Sequence, residues 1–306
     1  MSITSGIPYQ RRVSKLDKDM YRVGYFFILP AFILYGLFII YPFFQSIYLS
    51  FTSWNGADPI KPFIGLQNYL VLSKDPVFWI AIGNNIKWIV FGVIPPITLG
   101  LFLALLLYSR PKGFMFFRTV FFMPQLLGFA VLGVIWTLIY QPHNGLLVVV
   151  GTTMKISFLS KSPLANPDTA LFAVLIAQIW ATTGFYFVIL LAGLQNVDTS
   201  LLDAAYVDGA NSFQRLFFVI LPQLAPVMTM VIVNALIQSI RIFGIIWAMT
   251  QGGPGYATEV IATYAYRNFS SFGKVGYSTA LTTIMAILAL FVTVVFIRVR
   301  EKGQEA

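Results

Sequence analysis

Six long apolar stretches alternate with shorter polar segments along the 306-residue chain. Crossing about 30 Å of hydrocarbon as an α-helix takes about 20 apolar residues, and each stretch is long enough to do so. Their predicted bounds are 24–50, 84–108, 118–140, 170–194, 217–241 and 279–299. The first stretch contains Pro30 and Pro42, so we expect it to be kinked or to continue beyond the bilayer. The pattern predicts an all-α integral membrane protein with six transmembrane helices.

The segment between the fourth and fifth stretches, 198–222, is polar and rich in small residues. It contains Ser200-Leu-Leu-Asp203, a spacing typical of a capping box at a helix N-terminus. Gly209 permits the backbone dihedral angles or the close approach that a sharp bend requires. Apolar residues then recur at helical spacing up to the fifth stretch, namely Phe213, Leu216, Phe217 and Ile220. The pattern predicts a helix, a bend and a second helix.

The composition supports the membrane assignment, with 58% hydrophobic and only 10% charged residues and a mean hydropathy of +0.79. A soluble globular domain is excluded because its surface needs charged side chains. Cysteine is absent, which excludes disulfides and thiolate metal sites. The net charge of +9 does not indicate nucleic-acid binding, because the basic residues cluster at predicted membrane boundaries. No cofactor and no metal ion are predicted.

The distribution of Lys and Arg predicts the orientation, because cytoplasmic segments carry an excess of both residues. With a cytoplasmic N-terminus, twelve lie on the inner side: Arg11, Arg12, Lys15, Lys18, Arg22, Arg110, Lys112, Arg118, Arg215, Arg298, Arg300 and Lys302. Seven lie in the longer outer loops: Lys61, Lys74, Lys87, Lys155, Lys161, Arg267 and Lys274. We therefore expect cytoplasmic tails at 1–20 and 301–306, a membrane domain at 21–300, and segment 198–222 in the cytoplasm.

Segment 198–222 resembles the cytoplasmic "EAA" loop of ABC importer permeases, whose pattern is E-A-A-x3-G-x9-I-x-L-P. Every spacing of that pattern is kept, with Asp in place of Glu and Val in place of Ile. The matching residues are Asp203, Ala204, Ala205, Gly209, Val219, Leu221 and Pro222. In that family the loop forms a coupling helix that sits in a cleft of the ATPase subunit. An ordinary connecting helix is the alternative interpretation.

Two outer loops are similar to those of carbohydrate-type permeases. The first reads Phe63-Ile-Gly-Leu-Gln-Asn-Tyr69 and then Asp75-Pro-Val-Phe-Trp79; the last reads Thr250-Gln-Gly-Gly-Pro-Gly255 and then Thr263-Tyr-Ala-Tyr266. Gly-Gly-Pro-Gly would also form a tight loop in any protein. The resemblance runs from about residue 21 to 299, and it is closest to the maltose and glycerol-3-phosphate class of binding-protein-dependent permeases.

Polar residues inside the predicted spans are costly and therefore informative about function. In the fifth span Asn234, Gln238 and Arg241 share one helical stripe, and the fourth span carries a second stripe with aromatic neighbours. Amide groups both donate to and accept from hydroxyls, which suits a sugar. The predicted substrate-binding residues are Gln178, Trp180, Thr182, Phe185, Asn234, Gln238, Ser239 and Arg241.

Resemblance to the maltose permease implies a similar location. In that protein the sugar lies against the two helices that flank the coupling loop, and ungapped counting assigns to its site Gln178, Ala181, Thr182, Phe185, Ala235, Gln238, Ser239 and Ile242. Several of these residues differ in type from the maltose permease. Alternatively, the polar groups bond between helices, as for Thr183 or Asn234. Arg241 either snorkels to water or pairs with an anionic substrate.

The sequence lacks the residues of an ATPase or a hydrolase. No G-x-x-x-x-G-K-[ST] phosphate loop occurs, and the single histidine, His143, excludes an H-E-x-x-H zinc site. No catalytic residue is predicted. If the chain drives active transport, ATP hydrolysis must occur in a separate subunit.

The resemblance implies a permease subunit of an ATP-driven, binding-protein-dependent sugar importer in a bacterial or archaeal inner membrane. The implied partners are a second permease, two ABC ATPase subunits, an extracytoplasmic solute-binding protein, a sugar-type substrate and membrane lipid. An anionic polyol phosphate such as glycerol 3-phosphate is an alternative substrate. An ion-coupled secondary transporter is the rival class, but it would need carboxylates within the membrane, and the predicted spans contain none.

Overall fold

The computed structural model describes the backbone of residues 15–305 and the side chains of residues 23–300. The regular secondary structure of this part of the chain is helical, and it contains no β-strand. Five helices are long and apolar enough to cross a membrane, and a bent helix pair makes a sixth. The predicted all-α membrane fold is confirmed. The predicted tails lie largely outside the described residues, although helices include the backbone of 15–20 and 301–305.

The first span consists of α1 (Lys15–Tyr35), a π-helical turn (Gly36–Ile40) and α2 (Tyr41–Leu49). The π-helical turn accommodates Pro42, which has no N–H group and whose ring crowds the carbonyl four residues earlier. None of residues 23–48 in this span is buried. The apolar surface of the span therefore needs lipid or another protein to cover it.

A short helix, α3 (Gln67–Ser73), follows the first span and packs the outer loop against it. The Asn68 side-chain amide donates to the backbone carbonyls of Ser50 at 2.8 Å and of Thr52 at 2.9 Å. The hydroxyls of Tyr69 and Ser50 lie 2.7 Å apart. The Asn-Tyr pair of the first loop therefore satisfies the polar groups where α2 ends.

Helix α4 (Pro76–Tyr108) is the second span, and it begins eight residues before the predicted bound of 84. Asp75 caps it by accepting from the N–H of Val77 at 2.9 Å. The other oxygen of Asp75 accepts from the hydroxyls of Tyr264 and Tyr277, each at 2.5 Å. Burial opposes ionisation, but these hydrogen bonds outweigh it and hold the pKa of Asp75 below its ordinary value. Lys87, predicted in an outer loop, lies within α4.

The third predicted span, 118–140, is not a straight helix. Helix α5 (Phe114–Phe122) passes into a 3₁₀ turn (Met123–Leu126), and α6 (Phe129–Ile139) leaves at an angle of 99°. The backbone is extended at Leu127 and Gly128, where the helix breaks. Pro124 near this point removes a backbone donor, so the uniform hydropathy of this stretch concealed a break.

Helix α7 (Leu146–Thr153) is short, and α8 (Pro167–Leu194) is the fourth span and the most buried one. Helix α8 packs along α4. At the point of closest approach, a Cβ atom on Gly100 would lie 2.9 Å from the backbone nitrogen of Phe187. The absence of a side chain at Gly100 therefore allows the two helices to touch through their backbones.

The remaining helices are α9 (Thr199–Val207), α10 (Ser212–Arg215), a π-helical turn (Leu216–Ile220), α11 (Leu221–Ile240), α12 (Gly244–Met249), α13 (Ile261–Ser270) and α14 (Val275–Glu305). The fifth span, Ser212–Ile240, combines α10, the π-helical turn and α11, and the sixth is Val275–Arg300. The helix, bend and second helix predicted between the fourth and fifth spans are confirmed.

Two adjacent buried asparagines of α4 connect it to the last outer loop. Asn84 donates to the carbonyls of Ala257 at 2.9 Å and Glu259 at 2.8 Å. Asn85 donates to the carbonyl of Ile240 at 3.1 Å and accepts from the N–H of Ile261 at 2.9 Å. Backbone groups that the helix breaks leave without helical partners are thereby satisfied.

The close packing of α5 on α8 predicts a specific stability effect. A Cβ atom on Gly184 would lie 2.0 Å from the carbonyl oxygen of Phe121, so Gly184→Ala should destabilise the protein by about 1–3 kcal/mol. Gly83→Ala is the control, because no atom lies within 4 Å of the added methyl group. Thermal unfolding of the purified protein in detergent should show a lower Tm for Gly184→Ala only. Equal Tm values for the two variants would contradict this packing.

Candidate functional site

A cavity of 560 Å³ lies where α4, α8 and α11 meet two helix breaks, one between α5 and α6 and the other between α11 and α12. This volume is in the range of small-molecule sites. It is lined by Trp88, Gly92, Gln125, Leu127, Gly128, Phe129, Leu132, Gln178, Ala181, Thr182, Phe185, Tyr186, Asn234, Ala235, Gln238, Ser239, Arg241, Ile242, Phe243 and Gly244. The structure therefore brings together all but one of the predicted substrate-binding residues.

The α8 wall carries the predicted stripe of Gln178, Thr182 and Phe185. The hydroxyl of Thr182 donates to the carbonyl of Gln178 at 2.9 Å, so its hydrogen is engaged within the helix. Gln178 is only 8% exposed, and its Oε1 atom has no hydrogen-bond partner among the described residues. The side-chain amide oxygen of Gln178 is thus a buried acceptor without a hydrogen-bond donor among the described residues.

The α11 wall carries Asn234, Gln238 and Arg241, which are exposed, and Ser239, which is buried. A Cβ atom on Gly92 of α4 would lie 2.9 Å from the Ser239 hydroxyl oxygen. Gly92 therefore lets α11 approach α4 closely at the level of the cavity. Arg241 follows the last residue of α11 and is the only charged residue in the lining.

Trp180 is the predicted residue that does not line the cavity. Its ring packs edge-on against that of Trp136 on α6, with centroids 5.7 Å apart. The hydroxyl of Thr183 donates to the carbonyl of Ile179 at 2.6 Å, so that hydroxyl bonds within its own helix. Sequence adjacency to the stripe therefore did not place these two side chains in the site.

The two helix breaks supply cavity residues that sequence reasoning missed. Gln125, Leu127, Gly128 and Phe129 come from the bend between α5 and α6. Gly244, at the start of α12, packs against the ring of Phe129, at 2.9–3.0 Å from an added Cβ. The two breaks are thus in contact. The Pro124 and Gly128 pair was the available signal for the bend, whereas nothing in the pattern indicated Trp88.

The segment that joins α8 to α11 is built on a helix C-cap centred on Gly209. Gly209 has φ of +80°, a left-handed conformation that favours glycine. The N–H of Ala210 donates to the carbonyl of Ala205 at 2.9 Å, and that of Gly209 to Tyr206 at 3.1 Å. These two bonds form a Schellman motif, which explains the spacing between Ala205 and Gly209. No atom lies within 4 Å of an added Cβ, so the dihedral angle imposes glycine here and close approach does not.

The predicted capping box at Ser200 and Asp203 is wrong. Helix α9 begins two residues earlier than that box implies, because Asp198 is its N-cap and accepts from the N–H of Ser200 at 2.8 Å. Hydrogen bonds from Ser200 also hold the pKa of Asp198 below its ordinary value. A capping box does occur at α10, where Asn211 and Gln214 bond reciprocally at 2.8 and 2.9 Å.

This segment presents an exposed apolar face, which α9 and the first residues of the fifth span (Ser212–Ile240) form together. Its exposed apolar side chains are Leu201, Tyr206, Val207, Phe213, Phe217 and Phe218. The guanidinium of Arg215 lies 5.4 Å from the centre of the Tyr206 ring. Asp203 and Ala204 are exposed beside this face, and Pro222 is exposed at the start of α11. The opposite side is anchored, because Gln223 accepts from the N–H of Asp198 at 2.9 Å.

Pro222 also explains the π-helical turn that precedes α11, which the sequence pattern did not predict. Because proline lacks an N–H group and crowds the carbonyl four residues earlier, the preceding turn widens. The N–H of Leu221 donates to the carbonyl of Leu216, five residues back. The turn lies between the exposed segment and the cavity wall, and Leu216 and Ile220 within it are half-buried.

The described residues contain no group of three His, Cys, Asp or Glu side chains that could hold a metal ion. The cavity lining has no acidic residue and one basic residue. Its chemistry is that of amides, hydroxyls and aromatic rings, which suits an uncharged ligand with many hydroxyl groups.

Comparison with known proteins identifies the family. The family described as "Binding-protein-dependent transport system inner membrane component" matches residues 96–303. The chain belongs to this family. As a permease of this family it is a multi-pass membrane transport subunit rather than an enzyme, and the EAA motif and coupling helix are typical of such permeases.

Relatives of this permease match over nearly its whole length. The trehalose/maltose transport system permease protein MalF of Thermococcus litoralis is 34% identical over 289 residues, covering 94% of this chain and 96% of MalF. The multiple sugar-binding transport system permease protein MsmF of Streptococcus mutans is 32% identical over 279 residues, covering 91% and 95%. A bacterial alginate ABC transporter, solved with an alginate pentasaccharide-bound periplasmic protein, matches with a TM-score of 0.79 at 22% identity, covering 92% and 96%, which shows a shared fold.

Proposed function

We propose that this permease forms half of the translocation path of an ATP-driven importer for a sugar or sugar derivative. One observation carries the proposal: the cavity lies between α8 and α11, which are the two helices that the exposed segment α9–α10 joins. A force applied to that segment therefore reaches both walls of the cavity through continuous helices.

The lining supports a sugar-type substrate. Four amide side chains offer both donors and acceptors, and aromatic rings can pack against the C–H face of a pyranose; these residues are Gln125, Gln178, Asn234, Gln238, Phe129, Phe185, Tyr186 and Phe243. Amides, hydroxyls and aromatic rings make up most of the polar and aromatic lining, which favours a neutral ligand, whereas pairing of Arg241 with an anionic ligand is the alternative. The sugar systems to which the MalF and MsmF relatives belong support the same class.

The exposed apolar face of α9–α10 supports docking of an ATPase. Leu201, Tyr206 and Val207 of α9 are exposed apolar side chains outside the spans, and exposed apolar groups of this kind mark a protein interface. The chain has no phosphate-binding loop, so ATP hydrolysis takes place in separate subunits. We propose two ATPase subunits, one for the α9–α10 segment of this permease and one for the equivalent segment of a second permease.

The placement of basic residues supports an orientation with both termini in the cytoplasm. The guanidinium of Arg300 donates to the carbonyl of Ala225, so the end of α14 lies beside the start of α11 and near α9–α10. Arg298, Arg300 and Arg215 thus share one side of the membrane domain. By the positive-inside rule this side is cytoplasmic, and the opposite loops face an extracytoplasmic solute-binding protein.

ATP-driven movement of the ATPases would shift α9–α10 and, with it, the ends of α8 and α11. Such a shift alters the cavity only if its walls make different contacts in two states. The π-helical turn Leu216–Ile220 and the break after Ile240 bound α11 at its two ends, so α11 can move as a unit between them.

Uptake by the reconstituted complex tests the function. The permease, assembled with its partner permease, ATPases and binding protein in proteoliposomes, should import labelled maltose, trehalose or another saccharide of a panel. Import should require both ATP and the binding protein. Uptake driven by an ion gradient without ATP would instead establish the secondary-transporter class.

Arg241 distinguishes the two substrate classes. Arg241→Gln removes the one charge of the cavity, so uptake of a neutral sugar should change less than threefold. Import of glycerol 3-phosphate, measured in the same vesicles, should be absent from wild type. Efficient wild-type import of that anion, lost in Arg241→Gln by tenfold or more, would favour the polyol-phosphate alternative.

The role of Asp203 in docking is testable with a matched charge change. Asp203 lies on the exposed face at the position of the family's acidic residue, so Asp203→Lys should weaken ATPase binding about tenfold. Asp208→Lys, five residues later and also exposed, should have little effect. The measurement is the ATPase affinity of the purified permease pair, with saccharide binding as the control. Normal assembly and transport in Asp203→Lys would contradict the assignment.

The left-handed conformation of Gly209 predicts an uncoupled phenotype. Valine is strained at φ of +80°, so Gly209→Val should reorient α10 relative to α9 and lower the ratio of uptake to ATP hydrolysis by about fivefold or more. Asparagine tolerates this conformation, and Gly209→Asn should retain most coupling. Unchanged coupling in Gly209→Val would show that the bend does not transmit movement.

A further inference from the structure

We propose that Trp88 of α4 is a further specificity-determining residue of this permease, whose indole N–H donates a hydrogen bond to a hydroxyl of the transported ligand. Gln178 of α8 supplies the matching acceptor. The inference rests on the proposed function, because it assigns a role within the substrate cavity, and it adds a third helix to the two predicted from the sequence.

The indole nitrogen of Trp88 is an unused donor. Trp88 is 1% exposed and lines the cavity, yet its Nε1 atom has no hydrogen-bond partner among the described residues. Buried indole N–H groups usually have a partner, because leaving one unpaired forfeits its hydration without return. A hydroxyl group of the transported ligand would supply the missing acceptor during transport.

Gln178 of the neighbouring helix α8 provides the complementary unused acceptor. Its Oε1 atom is buried and unpaired in the same cavity. A hydroxyl group both accepts and donates a hydrogen bond, so the hydroxyls of one ligand can satisfy both atoms. A ligand that lacks either a donor or an acceptor would satisfy at most one of them. The pair therefore favours ligands such as sugars, whose hydroxyls supply both.

Gly92 positions the ring of Trp88 at the cavity. It lies one helical turn after Trp88, and a Cβ atom added there would lie 3.5 Å from Cε3 of the indole. Because Gly92 has no side chain, the edge of the indole and the Ser239 hydroxyl both remain beside the cavity. Any larger residue at this position would fill the space between α4 and α11.

Both orphaned atoms are enclosed by the wall in this conformation, so a ligand reaches them only when the wall shifts. Ligand binding then favours the shifted conformation, because only there are the donor and the acceptor satisfied. The pair would thus contribute more to recognition of a hydroxyl-bearing ligand than to stability of the empty cavity.

Trp136 offers an internal comparison. Its Nε1 atom is also buried without a partner among the described residues, but Trp136 does not line the cavity. If an unpaired indole only lowers stability, then Trp88→Phe and Trp136→Phe should behave alike. If Trp88 binds ligand, only Trp88→Phe should change ligand affinity, since phenylalanine keeps an aromatic ring and removes the donor.

The test measures binding of tritiated maltose and trehalose to the purified complex without the binding protein, which separates the cavity from the delivery step. Trp88→Phe should raise the Kd about tenfold, which corresponds to about 1.4 kcal/mol. Trp136→Phe should leave the Kd unchanged. Monodeoxy analogues of the bound sugar should include one whose weaker binding to wild type disappears in Trp88→Phe.

The outcomes separate the inference from the proposed function. Unchanged Kd in Trp88→Phe, or equal changes in both variants, overturns the inference while wild-type uptake still supports the function. If Trp88→Phe does not assemble, wild-type binding of the monodeoxy series decides, and the absence of any fivefold loss overturns the inference. Failure of wild type to bind or import any saccharide overturns both.

Discussion

Inside a bilayer, a backbone N–H or carbonyl that leaves a helix has no water to bond, and this constraint governs the fold. The third span of the permease breaks after Leu126, and the fifth span ends at Ile240, where the chain turns into the short helix α12. After Ile240, the Asn85 side chain donates to the carbonyl of Ile240 and accepts from the N–H of Ile261. Asn84 donates to the carbonyl of Ala257 in the loop that follows. Helix α4 thus supports these non-helical parts of the chain, and it packs along α8.

The cavity is a consequence of these breaks. A straight third span would turn Leu127 away from the side that Gln125 and Phe129 share, whereas with the 99° bend all three line one space. The contact between Phe129 and Gly244 joins the two breaks, and Gly133 packs against Ala248 in the same way one turn further. Glycine at these positions lets the half-helices approach closely, so the outer wall of the cavity is compact although its helices are discontinuous.

The segment that joins α8 to α11 is stabilised by local contacts, unlike the cavity. The Schellman bonds at Gly209 and the capping box at Asn211 each lie within six residues of sequence. The Asp198–Gln223 bond and the half-buried Leu202 and Ile220 connect the segment to the core. A locally stabilised element of this kind suits the movement as a unit that we propose for it.

The local character of this segment explains why its pattern was legible. The spacing from Ala205 to Gly209 is dictated by one C-cap, so sequence alone predicts the bend. The same local reasoning failed where two patterns overlap: Ser200 and Asp203 fit a capping box, but Asp198 fits a cap equally well and initiates the helix. The prediction that Trp180 lines the cavity failed for another reason. Its neighbours in the stripe line the cavity, whereas the Trp180 ring packs against Trp136 of α6.

The sequence by itself determined the number and location of the spans, the helical stripes on α8 and α11, and the coupling segment. These features depend on hydropathy and on spacings of a few residues, which any helix converts into faces and caps. Only the tertiary structure decided that Trp88 shares a cavity with Gln178, and that a bend brings Gln125 beside them. Such pairings join residues about 90 and 50 positions apart, and they depend on how α4, α5 and α8 pack, which no local spacing records.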